Sequence, residues 1–138
     1  MNKETIRRRI EEIGIIPVIR LSSAEDAWFV VEAIADSGIP IAEVTMTVPG
    51  AIEVIRELAK RDPEIIVGAG TVGDVETARR CLDAGAQFLT GPGLDLEMVE
   101  FGLKHGVVVF PGALTPGENH GCMEGWFGLR QGVSMFAA

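Results

Sequence analysis

Several polar side chains lie where short apolar runs of the chain end, and in proteins built on parallel strands the chemistry sits at such positions. The acid among them is Glu43, in the segment AEVTMT, and the cation is Arg20, which ends PVIR. The other candidates supply hydroxyl groups or shape the backbone: Thr45, Thr47, Thr71, Pro92 and Pro111. A carboxyl group suits proton transfer, and a guanidinium suits the binding of a carboxylate or phosphate. On position alone, Arg20 is equally compatible with a surface role.

The residues around Glu43 alternate in a way that predicts an inward-facing carboxyl group. In an extended strand, Glu43, Thr45 and Thr47 share one face, and the opposite face is apolar, with Ala42, Val44 and Met46. A buried carboxylate is costly unless it has partners or a function. Glu43 is therefore the leading candidate for a catalytic group, and the alternative is a solvated glutamate at the edge of a strand.

The elements that position these residues alternate between strand and helix. Apolar runs rich in Val and Ile recur with the spacing of βα units, at Ile15–Leu21, Ile39–Met46, Ile65–Ala69, Gln87–Leu89 and Val107–Phe110. The repeat predicts an α/β fold with a parallel sheet, either an open doubly wound sheet or a closed barrel. Central strands of a doubly wound sheet are apolar on both faces. The polar face around Glu43 therefore favours a (β/α) TIM barrel, truncated after about five of its eight βα units.

Composition and charge limit the partners. The chain has 138 residues and a net charge of -8, which argues against nucleic acid and against an anionic membrane. The N-terminus has no apolar signal region, and no window approaches the roughly 18 apolar residues of a membrane span. Cys81 and Cys122 are too few for a disulfide framework. These features predict a cytoplasmic protein with reduced thiols.

Two other chemistries have weaker support. Gly68, Gly70 and Gly73 form a GxGxxG pattern between a predicted strand and a predicted helix, which is the setting of a dinucleotide site. That site also needs an acid at the end of the next strand, where this chain has none until Asp95. His105 and His120 lack partners at metal-ligand spacing, so no metal site is expected.

Five segments together resemble a known family. PVIRL, AEVTMTVPGA, VGAGTV, AGAQFLTGPGLD and VVVFPGALTP are similar, in order and spacing, to the first five strands of the 2-keto-3-deoxy-6-phosphogluconate (KDPG) and 4-hydroxy-2-oxoglutarate (KHG) aldolase family. The resemblance covers about residues 5 to 116. It implies a class I aldolase that cleaves a keto acid to pyruvate and an aldehyde, with no cofactor or metal. It also implies a homotrimer for the full-length protein.

The resemblance assigns roles to five residues of this chain. Glu43 matches the general acid–base of the family, and Thr71 matches a residue that binds the pyruvyl carboxylate. Arg20 and Thr47 match positions that line the site, and Pro92 matches a position in its wall. Many members of the family carry Arg at the position of Thr47, so this chain has a hydroxyl where those members have a guanidinium.

The resemblance also implies a nucleophile that this sequence lacks. The family forms its Schiff base on a lysine of the sixth strand, and this chain contains only Lys3, Lys60 and Lys104, all in predicted helices. We therefore expect the chain as written to be inactive. The alternative function is a non-catalytic fragment or pseudoenzyme that binds keto acids or a partner chain. An unclosed barrel is also expected to self-associate or aggregate.

The segment after Pro116 departs from the pattern. Residues 117–138 show neither the period of a strand nor that of a helix, and five glycines interrupt them. We therefore divide the chain into an aldolase part at 1–116 and a non-family tail at 117–138, expected to be disordered. A frameshift near Glu118 would account for such a tail, since a shifted frame can encode the family's sixth strand with its lysine near Gln131.

Overall fold

The computed structural model describes residues 1–121, in which five strands and six helices alternate. The strands are β1 (Val18–Ile19), β2 (Ile41–Thr45), β3 (Ile66–Gly70), β4 (Phe88–Thr90) and β5 (Val108–Phe110). The helices are α1 (Lys3–Ile13), α2 (Ala24–Asp36), α3 (Ala51–Arg61), α4 (Val75–Asp83), α5 (Leu96–Lys104) and α6 (Pro116–Gly121). The five predicted strands are all present. None of the helices in this part of the chain is long and apolar enough to cross a membrane.

All five strands are parallel and lie in the order β1-β2-β3-β4-β5. A doubly wound sheet would reverse this order at a switch point, whereas each strand here lies beside the one before it. Because crossovers between parallel strands are right-handed, consecutive crossovers in one direction place their helices on the same face of the sheet. The α/β prediction is confirmed, and the sequential order is the one that a barrel requires.

The two faces of the sheet carry separate cores. The outer face packs against helices α2 to α5, through Ala42, Val44 and other buried residues of the strands. The inner face packs against α1, whose Ile6 and Ile10 contact a cluster completed by Ile41, Ile66, Phe88, Val108 and Phe110. The helix and this cluster fill part of the inner face. The buried polar residues Glu43, Thr45 and Thr90 are not members of the cluster.

Four of the helices begin where the sequence provides a side chain to accept their first N–H groups. Asn2, Ser23, Asp74 and Asp95 each precede a helix and accept a backbone N–H from its first turn. Such a cap is typically worth about 1 kcal/mol. These caps fix the start of four helices, and for α2, α4 and α5 they also fix where the loop after the preceding strand ends.

The first strand is shorter than the sequence predicts. The apolar run suggested Ile15–Leu21, but β1 contains only Val18 and Ile19. Pro17 has no N–H to contribute to the sheet, and its carbonyl accepts a hydrogen bond from the Glu43 amide at 2.9 Å. The apolar run thus overestimates the length of β1, which begins only after Pro17.

Candidate functional site

Glu43 lies in the middle of β2 on the inner face, and only 3% of its surface is exposed. Its neighbours in sequence, Ala42 and Val44, belong to the outer core, whereas Ile41 belongs to the inner cluster. The alternation predicted for this strand is therefore present. Burial raises the pKa of the Glu43 carboxyl above its usual value near 4.5, while a hydrogen bond from Thr90 and the charge of Arg20 act in the opposite direction.

The carboxyl group of Glu43 reaches across β3 to β4. Thr90, which is 3% exposed, donates a hydrogen bond from Oγ1 to Oε2 of Glu43 at 3.0 Å. The strand between them carries no side chain at this point, because the residue there is Gly70. A Cβ on Gly70 would overlap Oε1 of Glu43. Three neighbouring strands therefore hold the carboxyl group.

Gly68 and Gly70 both lie inside β3, and this location explains the GxGxxG pattern. A Cβ on Gly68 would overlap the ring of Phe88, just as one on Gly70 would overlap Glu43. In the dinucleotide fingerprint the glycines form the turn between strand and helix. Here the first two instead make room on the inner face for side chains of the adjacent strands.

Arg20 directly follows β1, and its position places it on the same face as Glu43. Ile19 belongs to the outer core, so the next residue of the extended chain points to the inner side. Arg20 is exposed, and its positive charge acts to lower the pKa of Glu43. The structure thus brings Arg20 and Glu43 to one side of the sheet.

Thr45 and Thr47 form a short hydroxyl chain beyond Glu43. Oγ1 of the buried Thr45 donates to the carbonyl of Ile19 at 3.3 Å and lies 2.6 Å from Oγ1 of Thr47. A hydroxyl has one proton, so Thr47 must be the donor in the second bond. Thr47 is exposed, and its oxygen can still accept a hydrogen bond from a ligand.

Thr71 directly follows β3 and has a strained backbone conformation. Its φ of 58° makes it the single non-glycine residue with positive φ in residues 1–121. For a β-branched residue this conformation costs on the order of 1 to 3 kcal/mol, and such residues concentrate at binding and catalytic sites. The following amide, that of Val72, donates to the carbonyl of Thr90 at 3.0 Å, which ties this turn to β4, the strand whose Thr90 hydroxyl bonds to Glu43.

Pro92 is exposed in the loop after β4, next to the loop after β5. Between the two loops, Gly91 donates a backbone hydrogen bond to Phe110 at 3.0 Å, and Gly112 donates one to Gly91 at 3.1 Å. A Cβ on Gly112 would lie 2.7 Å from the carbonyl oxygen of Pro92. Pro92 is therefore positioned by backbone contacts at the carboxyl end of the sheet.

The sequence does not predict that Thr90 bonds to Glu43 or that Gly70 leaves space for the carboxyl group. Thr90 follows an apolar run, and only its i+2 relation to Phe88 could have placed it on the inner face. In the sequence, Gly70 belongs to the GxGxxG pattern of a dinucleotide site, which gives no sign of its contact with Glu43. Both residues matter because of a contact that spans β2 to β4, which no local pattern contains.

The three lysines all lie in helices and none lies in a strand. Lys3 begins α1, while Lys60 and Lys104 lie at or near the C-terminal ends of α3 and α5. In a parallel α/β unit the helix returns the chain to the amino end of the sheet, opposite the strand ends. Lys60 and Lys104 are exposed and pair with Glu57 at 3.7 Å and Glu100 at 3.9 Å. Within residues 1–121 no cluster of His, Cys, Asp and Glu could hold a metal ion.

The fold and the site define an α/β protein whose buried carboxyl group faces the inner side of a sequentially ordered parallel sheet. The family model described as KDPG and KHG aldolase matches residues 6–138. The chain belongs to this aldolase family. The match includes residues 117–138, whose assignment to a separate tail stays a prediction; α6 extends from Pro116 to Gly121, and the rest of that segment lies outside the described residues.

Curated relatives support the same family. The chain is 36% identical to 2-dehydro-3-deoxy-phosphogluconate aldolase of Treponema pallidum over 125 residues, which is 91% of this chain and 59% of that protein. It is 35% identical to the KHG/KDPG aldolase of Escherichia coli K12 over 104 residues, 75% of this chain and 49% of that protein. The chain thus spans about half the length of the curated relatives it matches.

Solved structures agree. A KDPG aldolase of Zymomonas mobilis superposes with a TM-score of 0.72 at 28% identity, covering 83% of this chain and 54% of that one. A KDPG aldolase of Legionella pneumophila, with pyruvate captured as a covalent carbinolamine, gives a TM-score of 0.71 at 34% identity, covering 77% and 52%.

Proposed function

We propose that this chain carries the acid–base and substrate-binding part of a class I aldolase site. The reaction is retro-aldol cleavage of KDPG or 4-hydroxy-2-oxoglutarate to pyruvate and an aldehyde. The observation that supports it best is the buried Glu43, held by Thr90 on the inner face of the sheet. A carboxyl group kept in a desolvated position despite its cost is typical of a functional site.

The roles follow from the chemistry of each group. Glu43, whose pKa is raised by burial, can both accept and return a proton nearer to neutral pH than an ordinary glutamate. Arg20 and the hydroxyl of Thr71 suit the carboxylate of a keto acid, because a guanidinium and a hydroxyl both donate to anions. Thr47 supplies a further hydroxyl at the rim, and Pro92 forms part of the wall.

The chain as written is proposed to be inactive. A class I aldolase needs a neutral amine that forms an iminium with the substrate ketone, which then accepts the electrons released on cleavage. The lysines of this sequence are all in helices, and the two at helix C-terminal ends lie toward the amino side of the sheet. Without an amine in the site, cleavage has no iminium to accept its electrons, and no enamine forms for Glu43 to protonate.

We also propose that the five βα units form part of a truncated TIM barrel. In the described residues β1 and β5 are the edges of the sheet, and Val18 on β1 is 49% exposed. Unpaired edges and an incompletely covered apolar face promote association, so self-association is expected for this chain and a homotrimer for a full-length relative of this type. Light scattering after gel filtration measures the mass directly.

A chimaera tests the proposed function. Residues 1–116 are joined to the corresponding carboxyl-terminal part of the Treponema pallidum relative, and pyruvate release from KDPG is followed. The chimaera should turn over, and Glu43→Gln should lower turnover by about 10² to 10⁴. Glu53→Gln is the matched control, because the Glu53 side chain is 69% exposed and pairs with Arg56.

The outcomes separate the alternatives. Near-normal turnover of the Glu43→Gln chimaera would remove Glu43 from the acid–base role. A folded chimaera without turnover would contradict the proposal that residues 1–116 carry half of an aldolase site. Pyruvate binding to the original chain, measured by calorimetry in the absence of turnover, would instead support the keto-acid-binding fragment.

A further inference from the structure

The two oxygens of the Glu43 carboxyl group have different surroundings. Oε2 accepts the hydrogen bond from Thr90. Oε1 lies over Gly70, in the space that a Cβ would occupy, and no donor of residues 1–121 bonds to it. No side-chain oxygen or nitrogen in this part of the chain is both fully enclosed and without a partner. Oε1 is therefore not fully enclosed, and it is the carboxyl oxygen that residues 1–121 leave without a donor.

We propose that Thr90 is a positioning residue, which holds Oε2 of Glu43 and thereby presents Oε1 as the oxygen that exchanges protons with the substrate. The proposal rests on the proposed function of Glu43 and adds a residue to it. Proton transfer depends on a heavy-atom approach within hydrogen-bond reach, so a fixed carboxyl plane is of value. A glutamate has three side-chain torsions, and the bond to Thr90 restrains the last of them.

The surroundings of Glu43 make Thr90 its main polar partner. From β3 the facing residues are Gly68 and Gly70, and from β4 they are Phe88 and Thr90, none of which carries a charge. Among the described residues, the charge that lowers the pKa of Glu43 is that of Arg20, just after β1. The Thr90 hydroxyl is thus the group in direct contact with Glu43 that favours the ionised carboxylate over the protonated carboxyl group.

The hydroxyl of Thr90 also has a geometric role that burial alone does not explain. Thr45, on β2 with Glu43, is also buried, but its hydroxyl bonds to Ile19 and Thr47 and not to Glu43. Two buried threonines on the same face therefore provide a matched pair. Removal of either hydroxyl perturbs the core, but only one removal takes away a donor to the carboxylate.

The test measures the titration of Glu43 in the full chain by NMR, with ¹³C at the side-chain carboxyl carbon. Thr90→Val, which keeps the shape but removes the donor, should raise the Glu43 pKa by about half a unit or more. Thr90→Ser keeps the hydroxyl and should titrate with the wild type. Thr45→Val should leave the midpoint unchanged. An unaltered midpoint in Thr90→Val, or a shift in Thr90→Ser as large as in Thr90→Val, would overturn the proposal.

A second measurement needs no substitution, so it applies even if the variants do not fold. In the wild-type chain the Cβ resonance of Thr90 should titrate with the same midpoint as the carboxyl carbon of Glu43, whereas that of Thr45 should not follow it. A Thr90 resonance that is independent of the Glu43 titration would contradict the hydrogen bond. Neither measurement involves substrate, so a failure of the aldolase proposal in the chimaera remains distinguishable from a failure of this one.

Discussion

Glu43 and Thr90 lie on strands that are not neighbours, yet Oε2 of the first accepts a hydrogen bond from Oγ1 of the second at 3.0 Å. The contact crosses β3 and requires that Gly70 carry no side chain. Consequently the carboxyl group is fixed by residues of three consecutive βα units. A site of this kind depends on the correct order and register of the strands, which links the sheet directly to the proposed chemistry.

The first prediction concerns the pH dependence of stability. Because burial raises the pKa of Glu43 above its usual value near 4.5, the folded chain binds this proton more readily than the unfolded chain. The free energy of unfolding should therefore fall as the pH rises from that usual value through the raised pKa. Glu43→Gln should be more stable than the wild type at neutral pH and should lack this part of the pH dependence.

Urea unfolding followed by circular dichroism at a series of pH values measures the effect. Glu53→Gln, which removes an exposed carboxyl group, is the control and should retain the wild-type pH dependence. If Glu43→Gln were less stable than the wild type at neutral pH, the ionised carboxylate would be a net stabilising group, contrary to the cost assigned to its burial.

The second prediction concerns the space over Gly70. Gly70→Ala should lower the free energy of unfolding by about 1 to 3 kcal/mol, because the new methyl group overlaps Oε1 of Glu43. Gly73→Ala is the matched control in the same motif, since a Cβ there has no atom within 4 Å. It should change stability by less than about 0.5 kcal/mol. Equal effects in thermal or urea unfolding would show that the contact is not the cause.

The third prediction concerns Thr71 in the chimaera. Thr71→Val keeps the branched shape but removes the hydroxyl, so it should weaken the binding of pyruvate by roughly 2- to 10-fold. Thr71→Ser keeps the hydroxyl and should bind pyruvate nearly as the wild type does. Calorimetric titration measures both affinities. Equal affinity of the Val variant and the wild type would exclude the hydroxyl from the binding of the carboxylate.

The fourth prediction concerns the thiol of Cys81. It is fully buried in the outer core, lies 3.6 Å from the sulfur of Met46, and burial raises its pKa to about 11. The thiolate that reacts with iodoacetamide is therefore scarce at neutral pH. Mass spectrometry of the peptide that contains Cys81 should show slow alkylation in buffer and rapid alkylation in urea. Rapid alkylation of the folded chain would contradict the packing of α4 on the sheet.

Much of the fold could be predicted from the sequence because its determinants are local. The apolar runs indicate five strands, and the alternation around Glu43 indicates which face of β2 is polar. The short β1 was not predicted, because the effect of Pro17 depends on the strand with which it pairs. Thr90 could not be predicted for a related reason. Its importance comes from a bond across β3, and the glycine that permits this bond, Gly70, lies in a pattern that indicates a dinucleotide site.

The most direct test of the central claim is borohydride trapping with pyruvate. The claim is that this chain holds an aldolase carboxyl group without the amine that must work with it. Incubation with pyruvate and borohydride, followed by intact-mass measurement, should add no stoichiometric pyruvyl group to this chain, and the KDPG retro-aldol assay should show no turnover. The Legionella pneumophila aldolase, in which pyruvate was captured as a carbinolamine, is the positive control. A stoichiometric adduct on Lys3, Lys60 or Lys104 together with turnover would contradict the account.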